Sequence, residues 1–334
     1  MPGQLSTSRS ESIETVLITG ATGSFGRAFA QFLLDSTPVH VRLLSRDEHK
    51  QADMARDMPP GPRVTYILGD VRDRDQLTIA AESCTAIVHA ASLKMVPAGE
   101  RAADEFVKTN IGGTQNVIRA ALECGVRRSL FVSSDKACNP LNHYGKTKAV
   151  AEGLFVQANA LGVSRGCRFA VVRGGNVWAS RGSVAQVWRA ARAAGEPLIF
   201  YSDGQITTRF HLEMPAWCAF CWRALCEMHG GEIFIPKVRA WALATLAAAF
   251  GGPQDHQRLR SGDKAHETLI TADEAARTVD NGWAYVIEPS GEITQVWDYR
   301  PWSGWRPPQG WAYTSDMAER LSLAELAVLV KNLP

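Results

Sequence analysis

The sequence lacks the features that mark several large classes of protein. Its longest apolar run, 240–250, is much shorter than the roughly 20 residues that a membrane-spanning helix needs. Its 36 Lys and Arg residues nearly balance its 34 Asp and Glu residues, and the net charge of +2 gives no reason to expect a nucleic acid partner. No Cys and His spacing predicts a metal site. We therefore expect an ordinary globular protein that binds no membrane, nucleic acid or metal.

Cysteine usage and the N-terminus both favour the cytoplasm. The seven cysteines are odd in number and irregularly spaced, which argues against a disulfide framework and for a reducing compartment. Cys218 and Cys221 form a lone C-x-x-C inside an apolar stretch, so we interpret them as part of a core helix rather than a redox or metal site. Residues 1–12 are polar and have no apolar core, which is typical of a disordered tail and not of a signal peptide.

What the sequence does contain is a regular alternation of two kinds of segment in its first half. Short runs rich in β-branched residues alternate with longer stretches of helical periodicity, a pattern typical of a parallel, doubly wound α/β sheet of the Rossmann type. The second half is less regular, with more Trp, Pro and Gly. The predicted strands are 15–19, 39–45, 64–68, 86–90, 129–133 and 168–173, and the predicted helices include 27–34, 109–123, 144–160, 183–194, 215–229 and 238–250.

A glycine-rich turn follows the first predicted strand and opens a helix. Gly20, Gly23 and Gly26 have the spacing that lets a backbone turn tightly and approach a pyrophosphate, whose charge the helix N-terminus stabilises. Asp70 and Val71, after the third predicted strand, are placed to contact an adenine, although a simple turn there stays open. We therefore predict a dinucleotide site. Its predicted contacts outside the second strand are Gly20, Thr22, Gly23, Ser24, Phe25, Gly26, Asp70, Val71, Ala90, Ala91, Lys94, Asn110, Tyr144 and Lys148.

The tip of the second predicted strand indicates which dinucleotide is bound. Sites selective for NAD place an Asp or Glu there to bind the ribose 2′-hydroxyl. Here the first side chains after the strand belong to Ser45 and Arg46, and a guanidinium suits a 2′-phosphate through paired, charge-assisted hydrogen bonds. NADP is therefore favoured over NAD as the cofactor. Asp47 leaves NAD open, since its carboxylate could turn inward instead.

The stretch from Ser134 to Lys148 carries the candidate chemistry. Tyr144 and Lys148 stand four residues apart, so on a helix they share one face, and the charge of the lysine can lower the pKa of the phenol so that it accepts a proton from a hydroxyl. Ser134, Asp135 and Lys136 lie just upstream, at a predicted strand end, and would add a second acid/base set. Two sets together indicate a reaction with more steps than one hydride transfer.

These segments together resemble an extended short-chain dehydrogenase/reductase, and more narrowly the inverting UDP-N-acetylglucosamine 4,6-dehydratases of polysaccharide and flagellin-sugar biosynthesis. The resemblance covers most of residues 13–275. Within that group Asp135 followed by Lys136 is discriminating, because retaining dehydratases usually carry Asp-Glu there. The resemblance therefore implies dehydration with inversion at C5. Besides the segments above, it rests on 89–97, 109–113, 175–183, 208–210, 231–237 and 260–267.

The resemblance also implies a role for each candidate residue. Tyr144 would remove the proton of the sugar 4-hydroxyl while Ser134 hydrogen-bonds the 4-oxygen, and Lys148 would hold the nicotinamide ribose. Lys136 would take the C5 proton, which requires a neutral amine whose pKa is lowered by burial or by a nearby cation. Asp135, if protonated, would donate to the departing 6-hydroxyl. A helix cap for Asp135 and a surface position for Lys136 stay open as alternatives.

The second half is expected to bind the nucleotide sugar. Arginine forks match diphosphate oxygens, although any one arginine there could instead form a surface ion pair. Lys94 could face the sugar or only the solvent, and Glu267 could position an arginine or cap a helix. We accordingly divide the chain into an NADP-binding domain over 13–176 and a substrate-binding lobe over 177–334, partly interleaved with it. The predicted substrate contacts are Lys94, Asn176, Arg181, Arg209, Arg260 and Glu267.

Three departures from the family pattern bear on the sugar. Gly174 stands where the family often has Tyr, and Met95 where His or Gln is expected. The tryptophans of 297–311 are more numerous than the family suggests, and they serve either packing and subunit contact or substrate contact.

The resemblance implies a homo-oligomer and leaves two other functions open. One is a nucleotide-sugar 4-epimerase or C4 ketoreductase, which needs nothing from Asp135 and Lys136. The other is a non-catalytic NADP-binding regulator, since fold alone does not determine function.

Overall fold

The computed structural model describes residues 12–202, 204, 206–294, 297 and 299–333. The predicted disordered tail therefore lies outside the described residues, apart from Ser12. Within the described ranges, no helix is both long enough and apolar enough to cross a membrane.

The elements alternate between strand and helix through the first half and become irregular after it. The strands are β1 Thr15–Thr19, β2 His40–Ser45, β3 Val64–Leu68, β4 Ala86–His89, β5 Arg128–Ser134, β6 Arg168–Gly174, β7 Asn176–Val177, β8 Leu198–Tyr201, β9 Thr208–Leu212, β10 Ile233–Pro236, β11 Ala240–Ala242, β12 Gln254–Gln257, β13 Thr268–Ile270, β14 Thr278–Asp280, β15 Ala284–Ile287 and β16 Tyr313–Thr314. The helices are α1 Ser24–Ser36, α2 Glu48–Asp57, α3 Arg74–Ala81, α4 Val96–Arg101, α5 Ala103–Phe106, α6 Gly113–Glu123, α7 His143–Gly162, α8 Val184–Ala193, α9 Met214–Glu227, α10 Leu243–Phe250, α11 Gly291–Thr294 and α12 Leu323–Lys331, with a π-helical turn over Val107–Gly112.

One nine-stranded sheet forms the centre of the molecule, in the order β14-β15-β10-β6-β5-β4-β1-β2-β3. From β10 to β3 the strands run parallel, whereas β15 is antiparallel to β10 and β14 is antiparallel to β15. The predicted α/β fold with a doubly wound parallel sheet is confirmed. The strand order reverses between β1 and β4, and the crevice at such a reversal is where sheets of this kind bind ligands.

Apolar side chains on both faces bury the central strands. In β1, Leu17 packs into the core shared with α3, α6 and α7, while Val16 and Ile18 pack into the core shared with α1 and α9. The interpretation of Cys218 and Cys221 as core residues is confirmed, because both are buried on α9 with free thiols.

The second half adds small sheets and a third core. Strands β11, β9 and β7 form one sheet, β12 pairs with β8 and β13 pairs with β16. The prediction of a helix over 238–250 is wrong in its first part, because 240–242 forms β11, antiparallel to β9, and the helix begins only at Leu243. Apolar runs this short fit a strand or a helix equally well, and pairing with β9 decides between them. Strands β10, β14 and β15 return to the main sheet, so the two halves of the chain share it.

Candidate active site

The carboxyl ends of the parallel strands border a groove of about 290 Å³. The loops that follow β1, β2, β3 and β4 form its walls, at the point where the strand order reverses. The predicted cofactor contacts that line the groove are Gly20, Thr22, Gly23, Ser45, Arg46, Asp70, Val71, Ala90 and Ala91. Gly69, which we predict to contact adenine together with Asp70 and Val71, also lines the groove, and the lining residues that were not predicted as contacts are Leu44, Asp47, Lys50, Ser92, Leu93 and Thr109. Arg181, predicted as a substrate contact, also lines this groove and joins the second half of the chain to it.

The glycine turn after β1 brings three backbone segments unusually close together. Gly20 has a φ of +69°, and a Cβ there would lie 2.8 Å from the Cα of Ala91 in the loop after β4. A Cβ on Gly26 would lie 2.5 Å from the carbonyl oxygen of Gly20. Only glycine allows both approaches, and a turn of this kind at the start of α1 is the geometry that a pyrophosphate requires.

Several predicted cofactor residues build the walls around the groove and do not line it. The Ser24 hydroxyl accepts a hydrogen bond from the backbone N–H of Arg181 at 3.0 Å, and Lys94 Nζ donates to the carbonyl of Arg181 at 3.0 Å. Burial, and then the charge of Arg181, lowers the pKa of Lys94. Phe25 packs against the apolar core beside α1 and α9. These contacts attach the segment around Arg181 to the start of α1.

Asn110 stabilises one wall of the groove without lining the groove itself. Its Oδ1 accepts from the backbone N–H of Leu93 at 2.8 Å, and its Nδ2 donates to the Leu93 carbonyl at 2.9 Å and to the Thr147 hydroxyl at 3.0 Å. This buried amide therefore fixes the loop after β4 against the start of α7. A side chain that ties two loops together in this way has no local sequence pattern that would reveal it.

The tip of β2 presents positive charge to the groove. Arg46 has 54% of its side chain exposed, and its Nη1 lies 3.8 Å from Oδ2 of Asp70. The Asp47 carboxylate caps α2 by accepting from the backbone N–H of Lys50 at 3.0 Å, and it also pairs with the Lys50 ammonium at 2.5 Å. The hydrogen bonds from Lys50 lower the pKa of Asp47. Its carboxylate is thus engaged by Lys50 at the start of α2, although Asp47 also lines the groove.

Tyr144 and Lys148 share one face of α7, where burial suppresses their charges. Lys148 is 2% exposed, its Nζ donates to the carbonyl of Val132 at 2.6 Å, and it lies 3.9 Å from the ring centroid of Phe131. Burial lowers the pKa of Lys148 to about 7, against the opposing charge of Glu152. Burial raises the pKa of Tyr144 to about 12, against a hydrogen bond with Ser134. The pKa of Tyr144 therefore lies above its ordinary value, with burial as the largest cause.

Ser134, Asp135 and Lys136 leave the end of β5 in a short 3₁₀ turn. The Ser134 hydroxyl donates to Asp135 Oδ1 at 2.8 Å and accepts from the backbone N–H of Lys136 at 3.2 Å. Lys136 Nζ donates to Asp135 Oδ1 at 3.3 Å. Burial raises the pKa of Asp135 above its ordinary value, and the charge of Lys136 opposes this shift.

Glu267 closes this cluster from the second half of the chain. The carboxyl group is buried, and its Oε1 accepts from Lys136 Nζ at 2.7 Å and lies 3.5 Å from Arg209 Nε. Burial alone would lower the pKa of Lys136, but the charges of Asp135 and Glu267 outweigh it and raise that pKa. The expectation of a neutral Lys136 amine is therefore wrong for the resting structure. Of the two alternatives considered for Glu267, the contact with an arginine is the one observed.

The other predicted substrate contacts are scattered around this cluster. Asn176, at the start of β7, has a buried Oδ1 with no hydrogen-bond partner among the described residues. Arg260 Nε pairs with Asp263 at 2.9 Å, and its guanidinium lies 4.3 Å from the ring centroid of Tyr201. The structure thus brings Arg209 to the catalytic candidates, whereas Arg260 is exposed and paired within its own loop.

The space beside Gly174 explains the first departure from the family pattern. Gly174 ends β6 and pairs in register with Ser134, and a Cβ there would lie 2.9 Å from Cη2 of Trp217. The indole of Trp217, supplied by α9, therefore occupies the space that a side chain at position 174 would need. An aromatic ring is therefore present beside position 174, but it belongs to Trp217 on α9 and not to the residue at position 174.

Three of the four tryptophans in 297–311 pack against the protein, whereas Trp305 is 57% exposed. The ring of Trp302 stacks on His229 with centroids 4.5 Å apart, and Trp311 stacks on Tyr313 with centroids 6.0 Å apart. Trp297 is buried. These positions correspond to the packing alternative considered for this segment.

Comparison with known proteins gives relatives along nearly the whole chain. An inverting UDP-N-acetylglucosamine 4,6-dehydratase of Campylobacter jejuni (strain 81-176) is 38% identical over 311 residues, which cover 91% of this chain and 92% of the relative. A UDP-glucose 4-epimerase of Rickettsia bellii is 33% identical over 330 residues, 96% of each chain. The crystal structure of Pen from Bacillus thuringiensis superposes with a TM-score of 0.86 at 30% identity, covering 96% of this chain and 98% of that one.

A family model confirms the resemblance drawn from the sequence segments. The model described as polysaccharide biosynthesis protein matches residues 16–289, which contain the glycine turn, both acid/base sets and Glu267. The chain therefore belongs to the polysaccharide biosynthesis protein family.

Proposed function

We propose that this protein is an NADP-dependent nucleotide-sugar 4,6-dehydratase that inverts C5 and acts on UDP-N-acetylglucosamine. The observation that carries the proposal is that two acid/base sets lie beside the end of β5. Tyr144 and Lys148 are on α7, and Asp135 and Lys136 are in the 3₁₀ turn that follows β5. An inverting UDP-N-acetylglucosamine 4,6-dehydratase at 38% identity over 91% of the chain supports the same assignment. The product would be UDP-2-acetamido-2,6-dideoxy-β-L-arabino-hexos-4-ulose, with water as the second product.

The groove fits a dinucleotide, and its charge favours NADP. The cradle at Gly20, too tight for any Cβ, suits a pyrophosphate, and Asp70 and Val71 line the wall proposed for adenine. Arg46, with 54% of its side chain exposed, gives the tip of β2 a cation for a 2′-phosphate, whereas the Lys50 ammonium is paired with Asp47. Calorimetric titration with both oxidised cofactors tests this preference, which tighter binding of NAD would contradict.

Each residue of the two sets has a defined task in the proposed reaction. A bound nicotinamide would supply hydride acceptance at C4 and hydride return at C6. Tyr144 receives the proton of the 4-hydroxyl, and Ser134, in hydrogen-bonding reach of the phenol, polarises the 4-oxygen. Lys148, when protonated, supplies the positive charge that favours the phenolate. Asp135 protonates the departing 6-hydroxyl, and Lys136 removes the C5 proton, which the neighbouring 4-ketone makes acidic.

Incubation with UDP-N-acetylglucosamine, followed by mass spectrometry and NMR of the product, tests the function directly. The expected product is lighter by one water, carries a 4-ketone and has the inverted configuration at C5. A product of unchanged mass would contradict dehydration, and one with retained configuration would contradict inversion.

A 4-epimerase or C4 ketoreductase is the second candidate, and the Rickettsia bellii relative at 33% identity favours it. Such an enzyme uses Ser134, Tyr144 and Lys148 alone, so the ion-paired cluster of Asp135 and Lys136 would have no catalytic work. The same mass measurement separates the two candidates, because epimerisation leaves the mass unchanged.

The assembly, location and division of the chain are part of the proposal. We expect a cytoplasmic homo-oligomer, in line with the unpaired cysteines, and light scattering measures its size. We place the change from NADP-binding domain to substrate-binding lobe near Asn176, where the main sheet gives way to β7.

A further inference from the structure

The Lys136 amine lies between two carboxylates that come from opposite halves of the chain. Its Nζ donates to Asp135 Oδ1 at 3.3 Å and to Glu267 Oε1 at 2.7 Å. Both carboxyl groups are buried, and the second oxygen of each, Asp135 Oδ2 and Glu267 Oε2, is a buried atom without a hydrogen-bond partner in the described part of the chain. With the proton on nitrogen, the form that the raised pKa of Lys136 favours, the three groups form an ion-paired cluster.

The proposed elimination step needs the opposite arrangement of that proton. To remove a proton from C5, Lys136 must be a neutral amine, and to protonate the departing hydroxyl, Asp135 must be a neutral acid. One proton transfer along the bond from Lys136 Nζ to Asp135 Oδ1 produces both forms at once. Burial favours this transfer, because it converts two charges into two neutral groups.

We propose that Asp135 and Lys136 hold one mobile proton in common, and that Glu267, from the second half of the chain, determines on which of the two it rests. This inference depends on the proposed dehydratase function. It makes Glu267 a positioning residue that acts through Lys136 and not by contact with the reacting atoms.

Asp135 and Lys136 together supply and accept every proton that the elimination step moves. An N–H bond of Lys136 breaks and an O–H bond of Asp135 forms. Then the C5–H bond breaks as the amine takes the proton, a C5–C6 double bond forms, and the C6–O bond breaks as Asp135 gives its proton to the leaving oxygen. Water departs, and the carboxylate and the ammonium are restored as the resting ion pair. The step requires no further acid, base or oxidant.

Five titratable or charged groups face the Lys136 amine: Asp135, Tyr144, Arg209, Lys264 and Glu267. Glu267 favours the ammonium form by its charge, and Arg209, 3.5 Å from the same oxygen, weakens that effect. Lys264 Nζ is held by the carbonyl of Cys138, and burial lowers its pKa. Glu267 and Arg209 therefore have opposite effects on the proton of Lys136.

The test measures exchange of the C5 proton with deuterated solvent as a function of pH, in the NADP-loaded enzyme at saturating UDP-N-acetylglucosamine. The acid limb of this profile reports uptake of a second proton by the pair, which leaves no neutral amine to remove the C5 proton. We expect Glu267→Gln to move the acid limb to lower pH by about 1 to 3 units, since it removes an opposite charge in direct contact. Arg209→Gln is expected to move it to higher pH. A packing role for either residue would change rates without such opposite shifts.

Two control variants isolate the effect of charge. Glu267→Asp retains the charge and should keep the acid limb near that of wild type. Glu274→Gln removes a carboxylate that pairs with Arg173 at 2.9 Å and does not face Lys136, so it should leave the limb unmoved. If Glu267→Gln exchanges more slowly with an unmoved limb, the proposal is wrong.

If Glu267→Gln does not fold, Arg209→Gln provides the test. An acid limb in the Arg209→Gln profile that stays in place or moves to lower pH would overturn the proposal. A wild-type enzyme that exchanges no C5 proton at all would overturn the dehydratase function itself. That outcome is distinct from exchange with an unmoved limb.

Discussion

The two lysines of the candidate site differ in what surrounds the amine. Lys148 lies over the ring of Phe131 and donates to one backbone carbonyl, so burial dominates and lowers its pKa to about 7. Lys136 keeps 20% of its side chain exposed, and the charges of Asp135 and Glu267, which contact its amine, raise its pKa. A buried amine without a contacting carboxylate changes its protonation near neutral pH. An amine in contact with two carboxylates keeps its proton until a neighbouring group accepts it.

This contrast assigns different work to the two sets. The Tyr144 and Lys148 pair can respond to a charge introduced with a ligand, because neither side chain forms an ion pair with another of the described residues. The Asp135 and Lys136 pair is already balanced and exchanges a proton internally. Substitutions can test this difference between the two pairs, and the largest effect is expected at Tyr144.

Removing the Tyr144 hydroxyl should abolish the first step and everything after it. We expect Tyr144→Phe to lower turnover by about 10³-fold, within the range that general acid–base catalysis contributes. Steady-state product formation measures the loss, and circular dichroism should show an intact fold because the ring is retained. Turnover within a factor of two of wild type would separate Tyr144 from C4 oxidation.

Changing Asp135 should divide the reaction into its two halves. We expect Asp135→Asn to lower water elimination by about 10²-fold, because the amide cannot donate a proton from the position of a carboxylic acid. Oxidation at C4 should continue, so reduced nicotinamide should accumulate in a single turnover and be visible by its absorbance. If both half-reactions slow equally, the two sets do not act separately.

Whether a feature of the site could be predicted from the sequence depends on how far apart its residues lie along the chain. The main-sheet strands and α7 follow from local apolar patterns, and Asp135, Lys136 and Tyr144 lie close together because β5 ends just before α7 begins. The contact of Lys136 with Glu267 joins residues 131 positions apart, and no local pattern contains it. That contact adds to the charge of the adjacent Asp135, and together they raise the pKa of Lys136.

The same limit explains the other errors. Residues 240–242 form a strand because β9 supplies its partner, and the ring beside Gly174 comes from Trp217 on a distant helix. In both places the sequence pattern is correct locally, and a tertiary contact decides the result. The glycine turn was predictable because its tightness is a property of consecutive residues.

A matched pair of substitutions compares the two lysines by stability. Lys136→Met leaves two carboxylates buried without their cation, and we expect the free energy of unfolding to fall by about 3 kcal/mol at pH 7.5. Lys148→Met loses one hydrogen bond to Val132 but gains relief from burying an amine whose pKa burial lowers, so no loss of stability is expected. Denaturant unfolding of both variants measures the difference. Equal losses would mean that the two amines occupy equivalent environments.

The smallest effect concerns the pH dependence that Lys148 imposes on stability. Its pKa is about 7 in the folded protein, against about 10.4 in an unfolded chain. Between these values the unfolded state binds more protons, so the contribution of Lys148 to the free energy of unfolding rises with pH, by at most about 1.4 kcal/mol per pH unit. Below pH 7 the amine is protonated in both states and the contribution is constant. Subtracting the unfolding free energy of Lys148→Met from that of wild type cancels the other titrating groups, and the difference should rise from pH 7 to pH 9.5. A flat difference would mean that Lys148 keeps its charge on folding, and the contrast with Lys136 would then disappear.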